Sequence, residues 1–165
     1  MSAYELQRGY VPGVIGRLTD LHARYYGDLW ELGPQFEADI ADGIAEFVAR
    51  YDPARDGLWT VVDGDDRVLG GIVVDGRAVG AEGAQVRYFI LAPSLHGRGL
   101  GRDLLDAAMA FCRRQGYDRV FLWTVDELEA AVHLYREFGF AATDERDPHT
   151  DWETTVPYRL YERHL

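Results

Sequence analysis

Twelve residues narrow the folds open to this chain more than any other stretch: Leu91-Ala92-Pro93-Ser94-Leu95-His96-Gly97-Arg98-Gly99-Leu100-Gly101-Arg102. A β-rich run, Gln85-Val86-Arg87-Tyr88-Phe89-Ile90-Leu91, stops at Ala92-Pro93, and glycines at alternate positions then open a long helical pattern. From Gly99 to Gln115 the apolar positions Leu100, Leu104, Leu105, Ala108, Phe111 and Cys112 form one stripe, and Gly116 supplies the stop. A strand that feeds a helix through glycines makes an anion site. The first backbone N–H groups of the helix lack partners, the peptide dipoles add partial positive charge, and a missing Cβ lets a phosphate approach the main chain. Arg98 and Arg102, with His96 nearby, add formal charge. Taken alone, alternating glycines fit a merely solvated helix start equally well. A nucleotide P-loop is excluded, because Gly101-Arg102-Asp103 stands where Gly-Lys-Ser/Thr is required. A dinucleotide fold is excluded because the motif follows a hairpin rather than the first parallel strand.

The rest of the chain supplies what such a unit packs against. After Pro12-Gly13, the residues Val14, Leu18, Leu21 and Tyr25 recur at helical spacing, with Gly27 as the expected stop. A second helix from Pro34 carries Phe36, Ile40, Ile44, Phe47 and Val48. Leu58–Val62 and Val68–Val74 flank Asp63-Gly64-Asp65-Asp66 and read as a hairpin. Val120-Phe121-Leu122-Trp123 is a nearly continuous apolar strand, as expected for one covered on both faces. A helix follows from about Asp126 to Phe138, ending at Gly139, and β-rich pieces near Phe140–Thr143 and Thr154–Tyr161 close the chain. The order, α-α-β-β-β-α-β-α-β-β with room for a strand before Pro12, predicts an α/β sandwich with a mixed sheet and helices on both faces. No repeat or linker divides the 165 residues, so a single domain over 1–165 is expected.

Charge and cysteine content exclude several classes of function. With 17 Lys+Arg against 28 Asp+Glu the net charge is −11, which opposes nucleic acid and anionic membranes while leaving room for one local phosphate pocket. A lone cysteine, Cys112, rules out an internal disulfide and a cysteine-based zinc cluster. It lies on the apolar helical stripe, so it reads as packing rather than nucleophile. No leader-like start and no apolar run near the roughly 20 residues of a membrane span point to a cytoplasmic protein.

From Val86 to Phe140 the chain resembles the core of the GCN5-related N-acetyltransferases (GNAT). That family's cofactor loop, Gln/Arg-x-x-Gly-x-Gly/Ala after a strand ending in a Pro-containing turn, maps onto His96-Gly97-Arg98-Gly99-Leu100-Gly101. A later motif of Ala, a Tyr four residues on and a helix-ending Gly-Phe matches Ala131-Val132-His133-Leu134-Tyr135-Arg136-Glu137-Phe138-Gly139-Phe140. Leu122-Trp123-Thr124 and Glu127–Ala131 further resemble the acetyltransferase domain found fused to winged-helix MarR-type regulators, here expected to stand free.

The resemblance implies an acyl-CoA N-acyltransferase fold and an acetyl-CoA-dependent N-acetyltransferase without a metal. The coenzyme's diphosphate would lie on the main chain of Gly97, Arg98, Gly99, Leu100, Gly101 and Arg102, with His96 beside it. Its pantetheine arm would pair with the backbone around Ile90 and Leu91, in a gap between a bulged strand and its neighbour. An amine would attack the thioester directly, a backbone N–H near Leu91 would stabilise the oxyanion, and Tyr135 would protonate the leaving thiolate. By spacing alone Tyr135 shares a stripe with Leu128, Ala131 and Phe138 and reads as a core residue; the resemblance turns its hydroxyl towards the thiol. Two positions depart from the family pattern: His96 replaces Gln or Arg, and Leu128 replaces an Asn that contacts the arm. The acceptor pocket would draw on Tyr25, Tyr26, Trp30, Phe36, Tyr88, Phe89, Trp123, Trp152 and Tyr158, with Tyr26, Phe89 and Trp123 foremost. Aromatic faces in an acidic protein suit a cationic amine on a small molecule or peptide. Glu82, Asp126, Glu127, Asp151 and Glu153 could take the amine's proton, and none is singled out. A homodimer is admitted by the resemblance, and a non-catalytic acyl-CoA sensor with the same fold is the alternative function.

Overall fold

The computed structural model describes residues 3–77 and 83–165. Its elements are β1 (Glu5–Arg8), α1 (Val14–Trp30), α2 (Pro34–Ala49), β2 (Gly57–Val62), β3 (Val68–Asp75), β4 (Ala84–Leu91), a 3-10 turn at Pro93–Leu95, α3 (Leu100–Gln115), β5 (Arg119–Thr124), α4 (Glu129–Glu137), β6 (Ala141–His149) and β7 (Val156–His164). The strand before Pro12 is therefore present as β1. Two helix ends differ from expectation. α1 runs through Gly27 to Trp30 and stops where Glu31 turns left-handed (φ 58°), its N–H returning to the Gly27 carbonyl. α4 starts at Glu129 rather than Asp126, because Leu128 N–H closes a turn onto the Val125 carbonyl (3.0 Å). Asp126 is meanwhile drawn to the Tyr161 hydroxyl (2.8 Å) and the Arg159 guanidinium (3.1 Å).

The strands form one sheet in the order β1-β2-β3-β4-β5-β7-β6, and every neighbouring pair is antiparallel except β4–β5. Trp59 and Ile72 are cross-strand partners, as are Thr60 and Gly71, and successive residues point to opposite faces. Trp59 meets Phe111 of α3 edge-on, whereas Leu18 of α1 lies against Gly71. The two helices thus cover opposite faces, with α2 on the side of α1 and α4 on the side of α3. Apolar burial makes the main core between these layers. A smaller cluster of Leu32, Phe36, Val125 and Val156 closes the end where the α1–α2 turn meets the β6–β7 hairpin. Among the described residues no helix is long and apolar enough to cross a membrane.

The feature that positions the site is a break in the middle of this sheet. β4 and β5 pair only at Ala84↔Val120 and Gln85↔Phe121, then part. Gly83 permits even that contact: at φ +106° its Cβ would lie 2.2 Å from the Arg119 carbonyl oxygen. Further along, Gly71 pairs with Ile90 but Val73 with Arg87, so Ile72 alone opposes both Tyr88 and Phe89. The extra residue is a β-bulge, and Tyr88 carries its strain at φ 51°. β5 takes its continuous partner from β7 instead, over Arg119↔His164 to Thr124↔Arg159.

Candidate active site

The parted strands leave backbone groups of β4 without a strand partner on the side of β5. Ala92 N–H donates to the Leu69 carbonyl of β3 (2.8 Å), and in an antiparallel pair alternate residues face alternate neighbours. Ile90, opposite Gly71, is therefore committed to β3, while Leu91 turns its N–H and C=O into the gap. Of the two residues expected to pair with an arm, Leu91 is the one that points away from β3 into the gap. His96 Nε2 lies 3.0 Å from that Leu91 carbonyl oxygen, which makes Nε2 the protonated nitrogen, and its ring is edge-on to Tyr25 at 6.2 Å. The His96 imidazole, expected beside the diphosphate, here caps the end of β4.

Next to this edge lies the start of α3. Gly97 and Gly99 adopt left-handed backbones (φ 80° and 79°), and the first helical bond runs from Asp103 N–H to the Gly99 carbonyl (3.0 Å). The N–H groups of Leu100, Gly101 and Arg102 consequently have no backbone partner among the described residues. A Cβ on Gly101 would pack in ordinary contact against Phe89 Cζ (3.8 Å) and Leu134 Cδ2 (4.0 Å), whereas one on Gly97 or Gly99 would meet nothing within 4 Å, so open space borders the loop that leads into the helix. The side chains here are occupied. Arg102 is ion-paired with Glu137 of α4, which also receives His133 (2.6 Å), and Arg98 stands 5.7 Å over the Tyr4 ring. What Arg102 offers an anion is its N–H, its guanidinium being tied across to α4.

Two aromatic groups flank the gap on opposite faces. On the α3–α4 face, Tyr135 is only 7% exposed and sits between Phe89 (6.2 Å) and Phe140 (6.0 Å). Burial pushes its phenol well above the ordinary tyrosine value, so it is protonated throughout the neutral range. On the α1–α2 face, Tyr26 stacks on Trp30 (5.0 Å) and meets Tyr25 and Phe36, while Phe36 leads on to Trp152 and Tyr158. Burial, and then the neighbouring phenol of Tyr135, hold the Tyr26 hydroxyl above its usual range, which links the two faces across the gap. The bulge re-aims Tyr88 towards α1, where it meets His22 at 6.1 Å. Phe89 does not join these acceptor-side rings but lies under α3 and α4 with Tyr135. Trp123 joins neither apolar cluster, standing half-buried on β5.

With this geometry in place, comparison with known proteins is decisive. Residues 15–140 match the Acetyltransferase (GNAT) family. The chain belongs to the GNAT acetyltransferase family. A mycothiol acetyltransferase of Salinispora tropica is 32% identical over 159 residues, covering 93% of this chain but 47% of that protein, so this GNAT chain spans about half of the relative's length. YncA of Salmonella typhimurium, solved with its cofactor acetyl-CoA, superposes at a TM-score of 0.75 with 16% identity, over 99% of this chain and 95% of its own. A spermidine N-acetyltransferase of Vibrio cholerae, solved with CoA and spermine, superposes at 0.70 with 18% identity, over 98% and 95%.

Within this GNAT chain the acidic candidates separate. Asp126 is held by Tyr161 and Arg159, Glu127 and Asp151 are exposed, and Glu82 lies outside the described residues. Glu153 is tied down 117–120 residues from its own place in the chain: its carboxylate accepts from Gly33 N–H (2.8 Å), Gln35 N–H (2.8 Å) and Phe36 N–H (3.4 Å) at the start of α2. Thr154 Oγ1 donates to the Trp30 carbonyl (2.8 Å) and Trp152 Nε1 to Asp39 (3.0 Å), so the hairpin tip is fastened over the aromatic wall. Sequence reading missed this tie, since a helix cap from so far along the chain leaves no local pattern. Desolvation works against ionisation of Glu153, but the backbone donors outweigh it and hold the carboxyl below its ordinary value. The folded value being depressed, the tie is intact above the ordinary glutamate range and is lost only as pH falls through the lowered value. The Gly33 and Gln35 amide resonances are expected to titrate below the ordinary glutamate midpoint, and Glu153→Gln to abolish that titration. Cys112 is fully buried and its thiol is pushed up to about 12, which leaves it inert.

Proposed function

We propose that this chain is an acetyl-CoA-dependent N-acetyltransferase, residues 1–165 acting as a single unit in the cytoplasm, that acetylates a primary amine of a small molecule or peptide. The observation that carries the reading is the run of unpartnered N–H groups at Leu100–Arg102 beside the unpaired edge of β4, with the Tyr135 phenol on the same side. The residues fit the ligand: the amides and the open space at Gly97 and Gly99 suit a diphosphate, and Leu91 suits an amide-bearing arm entering as an added strand. Bound there, acetyl-CoA supplies an acetyl carbon activated as a thioester. A free backbone N–H in the gap, Leu91's foremost, donates to the oxygen on which charge develops. Tyr135, held protonated by burial, gives its proton to the departing sulfur. The wall of Tyr26, Trp30, Phe36, Trp152 and Tyr158, with Asp39 held at Trp152 and a net charge of −11, favours a cationic acceptor. A likeness to a spermidine N-acetyltransferase supports an amine as acceptor.

Calorimetry with acetyl-CoA, followed by thiol release over polyamines, amino sugars, amino acids and lysine peptides, tests the reading. Binding with thiol release for a cationic amine is the expected result. Binding with no release across the panel would make the chain a non-catalytic acyl-CoA module, and turnover confined to neutral or anionic acceptors would remove the cationic preference. Absence of binding would overturn the assignment outright.

A further inference from the structure

Tyr88 holds a left-handed backbone (φ 51°) inside β4, a conformation that is strained for any residue with a Cβ and free for glycine. Such strain persists only where the surroundings impose it. Here they act through the side chain. Arg87 Nη2 donates to the Tyr88 hydroxyl (2.7 Å), and the guanidinium lies 4.8 Å from the ring centroid. Arg87 Nη1 donates to Asp75 at the end of β3 (3.1 Å). That carboxylate is 1% exposed and also accepts from Arg50 just after α2 (2.6 and 3.2 Å) and from the Arg77 N–H (3.0 Å). The far end of the ring rests on α2 where the helix has no side chain, since a Cβ on Gly43 would run into the Tyr88 hydroxyl. The phenol is thus seated on α2 and tied through Arg87 to β3.

What this seat fixes is register. Before the bulge, Asp75 pairs with Gln85, Val74 with Val86 and Val73 with Arg87; after it, Gly71 pairs with Ile90 and Gly70 with Leu91. Continued without the extra residue, the first register would set Phe89 opposite Gly71 and Leu91 opposite Leu69. Alternation would then commit the Leu91 N–H and C=O to β3 and turn those of Ile90 to the gap. Resting on the acetyl-transfer reading, we infer that Tyr88 is a positioning residue for that reaction: its phenol, seated on Gly43 and tied through Arg87 to Asp75, holds the extra residue in β4 and so keeps Leu91, rather than Ile90, aimed into the gap. In this role Tyr88 acts through the Leu91 backbone and not on the reacting atoms.

Gly43→Ala, Tyr88→Phe and the double variant test the assignment. Gly43→Ala puts a methyl group into the seat and is expected to lower kcat by about 10²-fold, the scale of losing one oxyanion donor. The acetyl-CoA Kd should rise about tenfold as the arm loses its partner at Leu91. Tyr88→Phe keeps the ring over Gly43 and loses the tie to Arg87, so a fall of about tenfold in kcat is expected. The double variant should recover from the Gly43→Ala level to that of Tyr88→Phe, because phenylalanine has no oxygen for the methyl group to displace. Amide hydrogen exchange without ligand reads the register itself. In the wild type the Ile90 N–H should be protected and the Leu91 N–H not, and Gly43→Ala should reverse the two. Wild-type kinetics in a folded Gly43→Ala overturn the assignment, as does lost turnover with the exchange pattern intact or a double variant no faster than Gly43→Ala. Should Gly43→Ala fail to fold, Tyr88→Phe decides by the same readouts: slower turnover with weakened Ile90 protection supports the role, and a wild-type value in either overturns it. A wild type that releases no thiol with any amine removes the acetyl-transfer reading and this role together, whereas an active wild type with an equally active Gly43→Ala removes this assignment alone.

Discussion

Tyr135→Phe is expected to turn over at least about 10²-fold more slowly than the wild type while binding acetyl-CoA equally well. The substitution removes one oxygen and keeps the ring that packs between Phe89 and Phe140, so the core is preserved. No protein group among the described residues hydrogen-bonds to that hydroxyl, so its removal strands no partner. A thermal midpoint within a few degrees of the wild type is therefore expected alongside the lost turnover. Because burial raises the phenol's pKa, the acid form persists through neutral pH and is lost only above the ordinary tyrosine range, so no alkaline limb from Tyr135 should appear below about pH 10. Thiol-release kinetics check both points. Full turnover by Tyr135→Phe would make the residue an ordinary member of the core.

Gly101→Ala separates binding from folding by moving them in opposite directions. The new Cβ meets no protein atom closer than 3.8 Å, and alanine in the first turn of α3 is favoured over glycine by up to about 1 kcal/mol, so the thermal midpoint should hold or rise. The same methyl group stands beside the unpartnered N–H groups, where the proposed diphosphate would approach. Acetyl-CoA affinity is expected to fall at least tenfold, about 1.4 kcal/mol, measured by calorimetry. Gly99→Ala differs in kind, since φ 79° strains any residue with a Cβ by roughly 1–2 kcal/mol, and it should lose stability as well as affinity. Unchanged affinity in a folded Gly101→Ala would place the diphosphate somewhere else.

The fold was legible because its signals are local and agree with one another. The stripe from Leu100 to Cys112, the hairpin about Asp63-Gly64-Asp65-Asp66 and the apolar run at Val120 each name their own element, and their order selects the mixed sheet. Helix ends were less legible where a distant partner decides: Asp126 looks helical by pattern, but Arg159 and Tyr161 hold it in a turn. The glycine-rich helix start could be read from its own pattern and Tyr135 was singled out only by family resemblance, whereas the face each aromatic residue takes could be read from neither. One inserted residue in β4 sends Tyr88 to α1 and Phe89 to α4, and a bulge inverts side-chain direction without any mark in composition.

The break between β4 and β5 bears on how a chain can leave strand unpaired without offering it to other chains. Unpaired strand edges invite further strands, and chains that expose them aggregate. Here the two parted edges face each other between helices on both faces of the sheet, where a slender chain could enter but another sheet could not. The outer margins are guarded by other means: β1 is only four residues long, and β6 presents Asp144, Glu145, Arg146 and Asp147 followed by Pro148. The chain thus turns this adhesive seam inward and makes its outer rims poor templates for self-association.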